Sequence, residues 1–143
     1  MSDLEAIFPN LRNTPYERTS PETLSYNCIA WVAGRVDRCW WPSLWPRYFW
    51  PSGILDSSLE GFVRVFQELG YESCENRDRE PGYEKVAIYA QGSLPSHMAR
   101  QLPSGQWTSK CGDLEDITHN TLEGLEGSDY GFVVQIMRRR QVP

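Results

Sequence analysis

An α+β domain, helices from the first half of the chain packed on a mainly antiparallel sheet from the second, is the fold this sequence predicts. Three observations carry that reading. Leu59, Phe62, Val63, Phe66 and Leu69 form one apolar stripe at helical spacing. Beyond residue 80 the period changes, and the β-rich stretches KVAIYA (85–90) and YGFVVQIM (130–137) read as buried strands. Between them, Pro103-Ser104-Gly105 separates 97–102 from 106–110, as a turn separates the arms of a hairpin. Helices followed by strands that pair with sequence neighbours are an α+β pattern.

The elements follow in order. Residues 1–25 carry Pro9, Pro15 and Pro21 among polar residues, which predicts an extended arm over the surface. At Asn27 the chain turns apolar with small residues interleaved (CIAWVAG), a pattern that suits a short buried helix with Asn27 as its N-cap. Between Cys39 and Gly53, Pro42, Pro46 and Pro51 exclude a regular helix. Ser57 and Glu60 fit a capping box for the helix that follows, and Gly70 is its expected C′ residue. The acidic stretch 113–127 has weak helical spacing at Ile117, Leu122 and Leu125, predicting one or two helical turns and a solvated face. No internal repeat or linker divides the 143 residues, so one domain is expected.

Composition narrows the function classes. Hydrophobic residues make up 40% and charged residues 23%, which suits a globular chain and not a disordered one. A net charge of -5 disfavours a general nucleic-acid binder, and the cluster Arg138-Arg139-Arg140 reads as a solubilising strand end. The start Met1-Ser2-Asp3-Leu4-Glu5-Ala6 has no signal-peptide pattern and no run approaches a membrane span. The four cysteines form no CxxC pair and no regular framework. A cytoplasmic protein with reduced thiols, no membrane partner and no cofactor is the expectation. Zinc held by Cys111, His119 and a carboxylate lacks paired ligand spacing and is not expected.

The chemistry centres on Cys28. At the first turn of a helix, free N–H groups and the macrodipole favour a thiolate, the nucleophilic form. His97, opening a strand after a Pro-containing turn, is the candidate base. A third group that orients the imidazole is expected from Ser109, Lys110 or Asp113 on the next strand of the hairpin. Tyr26, Asn27 or Gln101 would supply a polar contact, and Asn27, Trp31, Trp41, Gln101 and Trp107 are the candidate substrate-binding residues. Trp40, Trp41, Trp45, Tyr48, Phe49 and Trp50 crowd beside the prolines, either as the wall of a groove or as rings filling space over the core.

A cysteine on a helix, then a histidine on a strand, then a paired strand is similar to the papain-like superfamily. Its transglutaminase-core and NlpC-type peptidoglycan hydrolase branches look nearest. His97-Met-Ala-Arg-Gln-Leu-Pro-Ser-Gly-Gln-Trp107 resembles the transglutaminase-core histidine strand, hairpin and Gly-x-Trp. The resemblance implies a papain-like fold with Cys28 as nucleophile and His97 as base. It also implies an acidic residue shortly after the Trp, where Cys111 stands instead. Over most of its length the chain also resembles a family of uncharacterised bacterial proteins, through NCIAWVAG, Trp-Trp-Pro, EKVAIYA, SHMARQLPSGQWTSK and the acidic stretch ending at His119.

Two functions follow as expectations. One is a cysteine-dependent amide hydrolase or acyltransferase acting on a peptide, protein or other amide. The other is a non-catalytic module that binds a partner protein through the Trp/Pro-rich surface.

Overall fold

A computed structural model describes residues 3–141. Its elements are α1 (Leu4–Ile7), a 3-10 turn (Pro9–Asn13), β1 (Tyr16–Arg18), α2 (Cys28–Val32), β2 (Cys39–Trp40), β3 (Tyr48–Phe49) and α3 (Leu59–Glu68). After these come β4 (Glu72–Cys74), β5 (Tyr83–Gln91), β6 (Leu94–Gln101), β7 (Trp107–Lys110), β8 (Asp116–His119), a 3-10 turn (Leu122–Leu125) and β9 (Phe132–Arg140). The fold is α+β. Seven strands form one antiparallel sheet in the order β1-β8-β7-β6-β5-β9-β4, and β2 and β3 make a separate parallel pair.

Both faces of the sheet are covered, which explains why β5 reads as nearly continuous apolar sequence. Val86, Ile88, Met98 and Met137 point to one face, where α2, α3, Trp40 and Trp50 close over them. Ala87, Tyr89, Ala99 and Ile136 point to the other, under Leu4, Phe8, Leu11, Leu122 and Leu125. The expected extended arm over 1–25 is therefore corrected. Leu4, Phe8 and Leu11 recur at helical spacing and are almost wholly buried, and that burial outweighs the breaking effect of the prolines. Pro9 sits at the start of its 3-10 turn, where no N–H is missed.

The sequence places α2 and α3 correctly, with one shift. Asn27 caps α2 by accepting from Ala30 N–H at 3.2 Å. Ser58, one residue after the expected Ser57, caps α3 by accepting from Gly61 N–H at 3.2 Å. Gly70 follows the C-cap with φ 99°, as a C′ glycine does. The stretch 113–127 departs furthest from expectation. It holds a strand, β8, and Glu115 and Asp116 are 2% exposed rather than solvated. Asp116 accepts a 2.6 Å hydrogen bond from Tyr26, and Glu115 pairs with Arg18 at 2.8 Å. The arginines of β9 brace the fold: Arg138 pairs with Glu72 and Glu80, and Arg139 with Glu84.

Two buried lysines tie loops to the sheet by donating to backbone carbonyls. Lys85 reaches Asn76 at 2.6 Å and Asp78 at 2.7 Å, and pairs with Glu80. Lys110 reaches Thr23 at 3.0 Å and also Leu114, so the crossing from β1 to α2 is held against the β7–β8 turn.

The Asn27 amide does more than cap. Its Nδ2 donates to Trp40 O at 2.8 Å and its Oδ1 accepts from Trp40 N–H at 2.9 Å, clasping β2 onto the start of α2. Replacing Asn27 with Ala removes all of these bonds and strands the backbone groups of Trp40. A loss of about 2–3 kcal/mol is expected, read as a lower urea midpoint at unchanged m.

Candidate functional site

Cys28 occupies the first position of α2, as the sequence predicts, and α2 lies across β6 and β7. The thiol is 6% exposed. Burial pushes it up to about 11, outweighing the N–H groups of Met98, Ile29 and Cys28 that favour the anion. The expected thiolate is thus corrected: at neutral pH Cys28 is a thiol. A five-residue helix has little macrodipole to set against full desolvation.

His97 lies on β6, one residue from the Met98 N–H that meets the thiol. Its ring, however, points to the opposite face of the sheet. There it stacks flat on Tyr130, with centroids 4.1 Å apart and planes 5° apart, and tilts against Tyr89. It is fully buried. Nε2 lies 3.0 Å from Ser109 Oγ, and Nδ1 is buried with no hydrogen-bond partner among the described residues. The structure therefore does not join Cys28 to His97 by a hydrogen bond.

The two are separated by a place where the sheet opens. The β6–β7 ladder pairs only Arg100 with Thr108 and Gln101 with Trp107, then stops. Beyond it, the His97 and Ser109 side chains bridge strands whose backbones no longer pair.

Among the three expected orienting groups, Ser109 is the one that meets His97. Lys110 faces the other way, over the Tyr26 ring. Asp113 is exposed on the β7–β8 turn and pairs with Arg47 at 3.3 Å. Ser109 Oγ also contacts His119 Nε2 at 2.8 Å, and His119 Nδ1 contacts Thr121 O at 2.8 Å. This chain, Thr121–His119–Ser109–His97, was not legible from spacing. The alternation in β8 spans four residues inside an acidic stretch, too short to outweigh the helical reading.

The remaining candidates divide between surface and core. Trp31 is partly exposed, donates from Nε1 to Thr108 Oγ1 at 3.1 Å and lies under the Arg100 guanidinium. Trp41 packs edge-on to Phe62. Gln101 donates to Arg77 O at 2.9 Å and Trp107 is buried under the N-terminal turns. Cys111, where the resemblance implies an acid, is a buried thiol pushed up to about 12. All four cysteines are free. Among the described residues no group of three or more His, Cys, Asp or Glu side chains could hold a metal, and no helix is long and apolar enough to cross a membrane.

With the site in place, the family can be stated. A model for a domain of unknown function (DUF7689) matches residues 17–138, from β1 through most of β9. The chain belongs to that family. The match covers every residue of the Cys28–His97–Ser109–His119 region. No curated protein matches the chain, and no solved structure does.

Burial of the two histidines fixes a pH dependence. Desolvation pushes His119 down to about 4 and holds His97 well below its usual range, with the charge of His119 adding to the effect. Both are neutral when folded, whereas the unfolded chain takes up protons near pH 6.5. Their contribution is therefore fully present above that pH and lost as pH falls toward 4. His119 alone accounts for about 3 kcal/mol of that loss. Urea melts at pH 7 and pH 4.5 measure it. His119→Gln, which cannot titrate, is expected to flatten the slope.

Proposed function

We propose that this protein is a cysteine-dependent amide hydrolase or acyltransferase of papain-like architecture, with Cys28 as nucleophile and His97 as base. The observation that carries the reading is the buried, unpartnered Nδ1 of His97. A buried nitrogen without a partner costs free energy, and one on a titratable ring calls for an explanation. The rest of the imidazole is engaged, with Nε2 on Ser109 and one face on Tyr130. Only the nitrogen able to accept a proton is left open.

In the proposed reaction a carbonyl substrate, a peptide or other amide, enters at the opening between β6 and β7. The Cys28 thiol proton passes to His97 Nδ1 as sulfur bonds to the carbonyl carbon. The N–H groups of Cys28 and Met98 face the thiol and would stabilise the developing oxyanion. Nδ1–H then protonates the leaving amine as the C–N bond breaks, leaving a thioester. Water or a second amine, giving its proton to Nδ1, attacks the thioester and restores the thiol. The resting pair is neutral, in keeping with the raised thiol and the lowered imidazole.

Access requires movement of the Trp/Pro-rich segment. Trp40 is clasped to Asn27 over the start of α2, and Arg47 reaches Cys39 at 3.9 Å and Asp113 at 3.3 Å. The Arg47–Asp113 pair is solvent-exposed, and such pairs are weak. Arg47→Ala is expected to raise Cys28 labelling severalfold without lowering the melting temperature.

A second reading, a non-catalytic module that binds a partner protein, is favoured by Leu44 and Trp45. These stand 89% and 73% exposed between β2 and β3. Iodoacetamide labelling from pH 5 to 9, mapped by mass spectrometry, separates the two. The enzyme reading expects Cys28 to react faster than the similarly buried Cys39 and Cys111, and to slow about 100-fold in His97→Gln. If Cys28 matches Cys39 and Cys111, or ignores the His97 change, the enzyme reading falls and the Leu44–Trp45 tip becomes the functional surface.

A further inference from the structure

The hydrogen-bond chain behind His97 has a direction that can be worked out from its far end. Thr121 O is a carbonyl oxygen and can only accept, so His119 Nδ1 at 2.8 Å must carry a proton. His119 is neutral at pH 7, which leaves its Nε2 as a bare lone pair. Ser109, 2.8 Å from that nitrogen, must then donate its hydroxyl proton there. Ser109 has one proton and has spent it, so toward His97 it offers only a lone pair. His97 Nε2, 3.0 Å away, must be the protonated nitrogen. A neutral imidazole has one N–H, so Nδ1 is left as an unprotonated base. Each step follows from one donor meeting one acceptor, and reversing any step would set two donors or two lone pairs against each other.

We propose that His119 and the Thr121 carbonyl act as positioning groups which, through Ser109, fix His97 in the Nε2–H tautomer and so keep Nδ1 free to take a proton. Neither touches the reacting atoms. As a role in catalysis this rests on the Cys28–His97 reading above. As a statement about where the His97 proton sits, it stands without that reading. The arrangement uses an element the sequence did not disclose, β8, which carries His119 opposite Trp107 and delivers Thr121 just beyond the strand. Burial contributes as well. His97 and His119 are each 0% exposed, so water cannot supply a competing donor to scramble the tautomers.

The tautomer is directly observable. Nitrogen-15 NMR of the histidine rings at pH 7 distinguishes a protonated, pyrrole-type nitrogen from a bare, pyridine-type one. The wild-type chain is expected to show pyrrole-type Nε2 and pyridine-type Nδ1 at His97, and the reverse pattern at His119. His119→Phe removes the acceptor, frees the Ser109 proton to point at His97, and is expected to shift His97 toward the Nδ1–H form while cutting Cys28 labelling about tenfold. His119→Gln is the rescue, because its amide oxygen can accept from Ser109 while its N–H groups reach Thr121 O. It should restore both the tautomer and the labelling. Should the Phe variant fail to fold, Ser109→Ala breaks the same chain with a smaller change, and the His97 tautomer preference is expected to be lost there too.

A wild-type His97 that is Nδ1–H or doubly protonated at pH 7 would overturn the assignment. So would a His97 tautomer unmoved by a folded His119→Phe or Ser109→Ala. An Nε2–H His97 combined with Cys28 labelling that ignores His97→Gln would overturn the catalytic use alone, and the tautomer assignment would stand.

Discussion

The side chain of Asn27 makes three hydrogen bonds, and the placement of everything around Cys28 depends on them. Two go to the backbone of Trp40 and one to the first turn of α2. An amide at this position has both an acceptor and a donor, so one residue starts the helix and fixes the strand that crosses its end. Without the cap, Cys28 would not stand at the head of a helix. Without the clasp, the aromatic segment would not lie over it. Trp40 and Trp50 then sink into the core beside Phe62, which anchors the segment at both ends while leaving Leu44 and Trp45 in solvent.

The second organising constraint is that the sheet is covered on both faces. Polar groups inside it have no water to turn to and must find partners among themselves. On one face Tyr26 donates to Asp116 and Lys110 donates to loop carbonyls. On the other, two histidines and a serine form a line ending on a carbonyl. Bonds of this kind add little net stability each, but a missing partner would cost more than a present one gains. The unpartnered Nδ1 of His97 carries such a cost, as do the buried indole nitrogens of Trp40 and Trp50 on the other face.

Much of this arrangement was legible in the sequence where a local rule and a tertiary need agree. Asn27 before an apolar run, the stripe from Leu59 to Leu69 with Gly70 after it, and the Pro-Ser-Gly turn each matched the observed element. The identity of Ser109 as the partner of His97 was within reach as one of three alternatives. Other features depend on partners far away in the chain. The N-terminal turns are held by Leu122 and Leu125, more than a hundred residues on, and no local signal announces that. Glu115 and Asp116 read as surface because their partners, Arg18 and Tyr26, lie about ninety positions upstream. The direction of the His97 ring turns on the pleat of β6, which any one-residue error in register would reverse.

The strand order carries a consequence for how the chain comes to be folded. β5, β6, β7 and β8 are neighbours both in sequence and in the sheet, so this meander can close from local contacts alone. β1 and β4 attach only to β8 and β9, which follow them in the chain. During synthesis the first half of the molecule, with its tryptophans and its candidate nucleophile, leaves the ribosome before the surface that will receive it exists. The aromatic segment must therefore wait in water, and its three prolines, which hold its two strands to two residues each, leave little edge for the wrong partners in that interval.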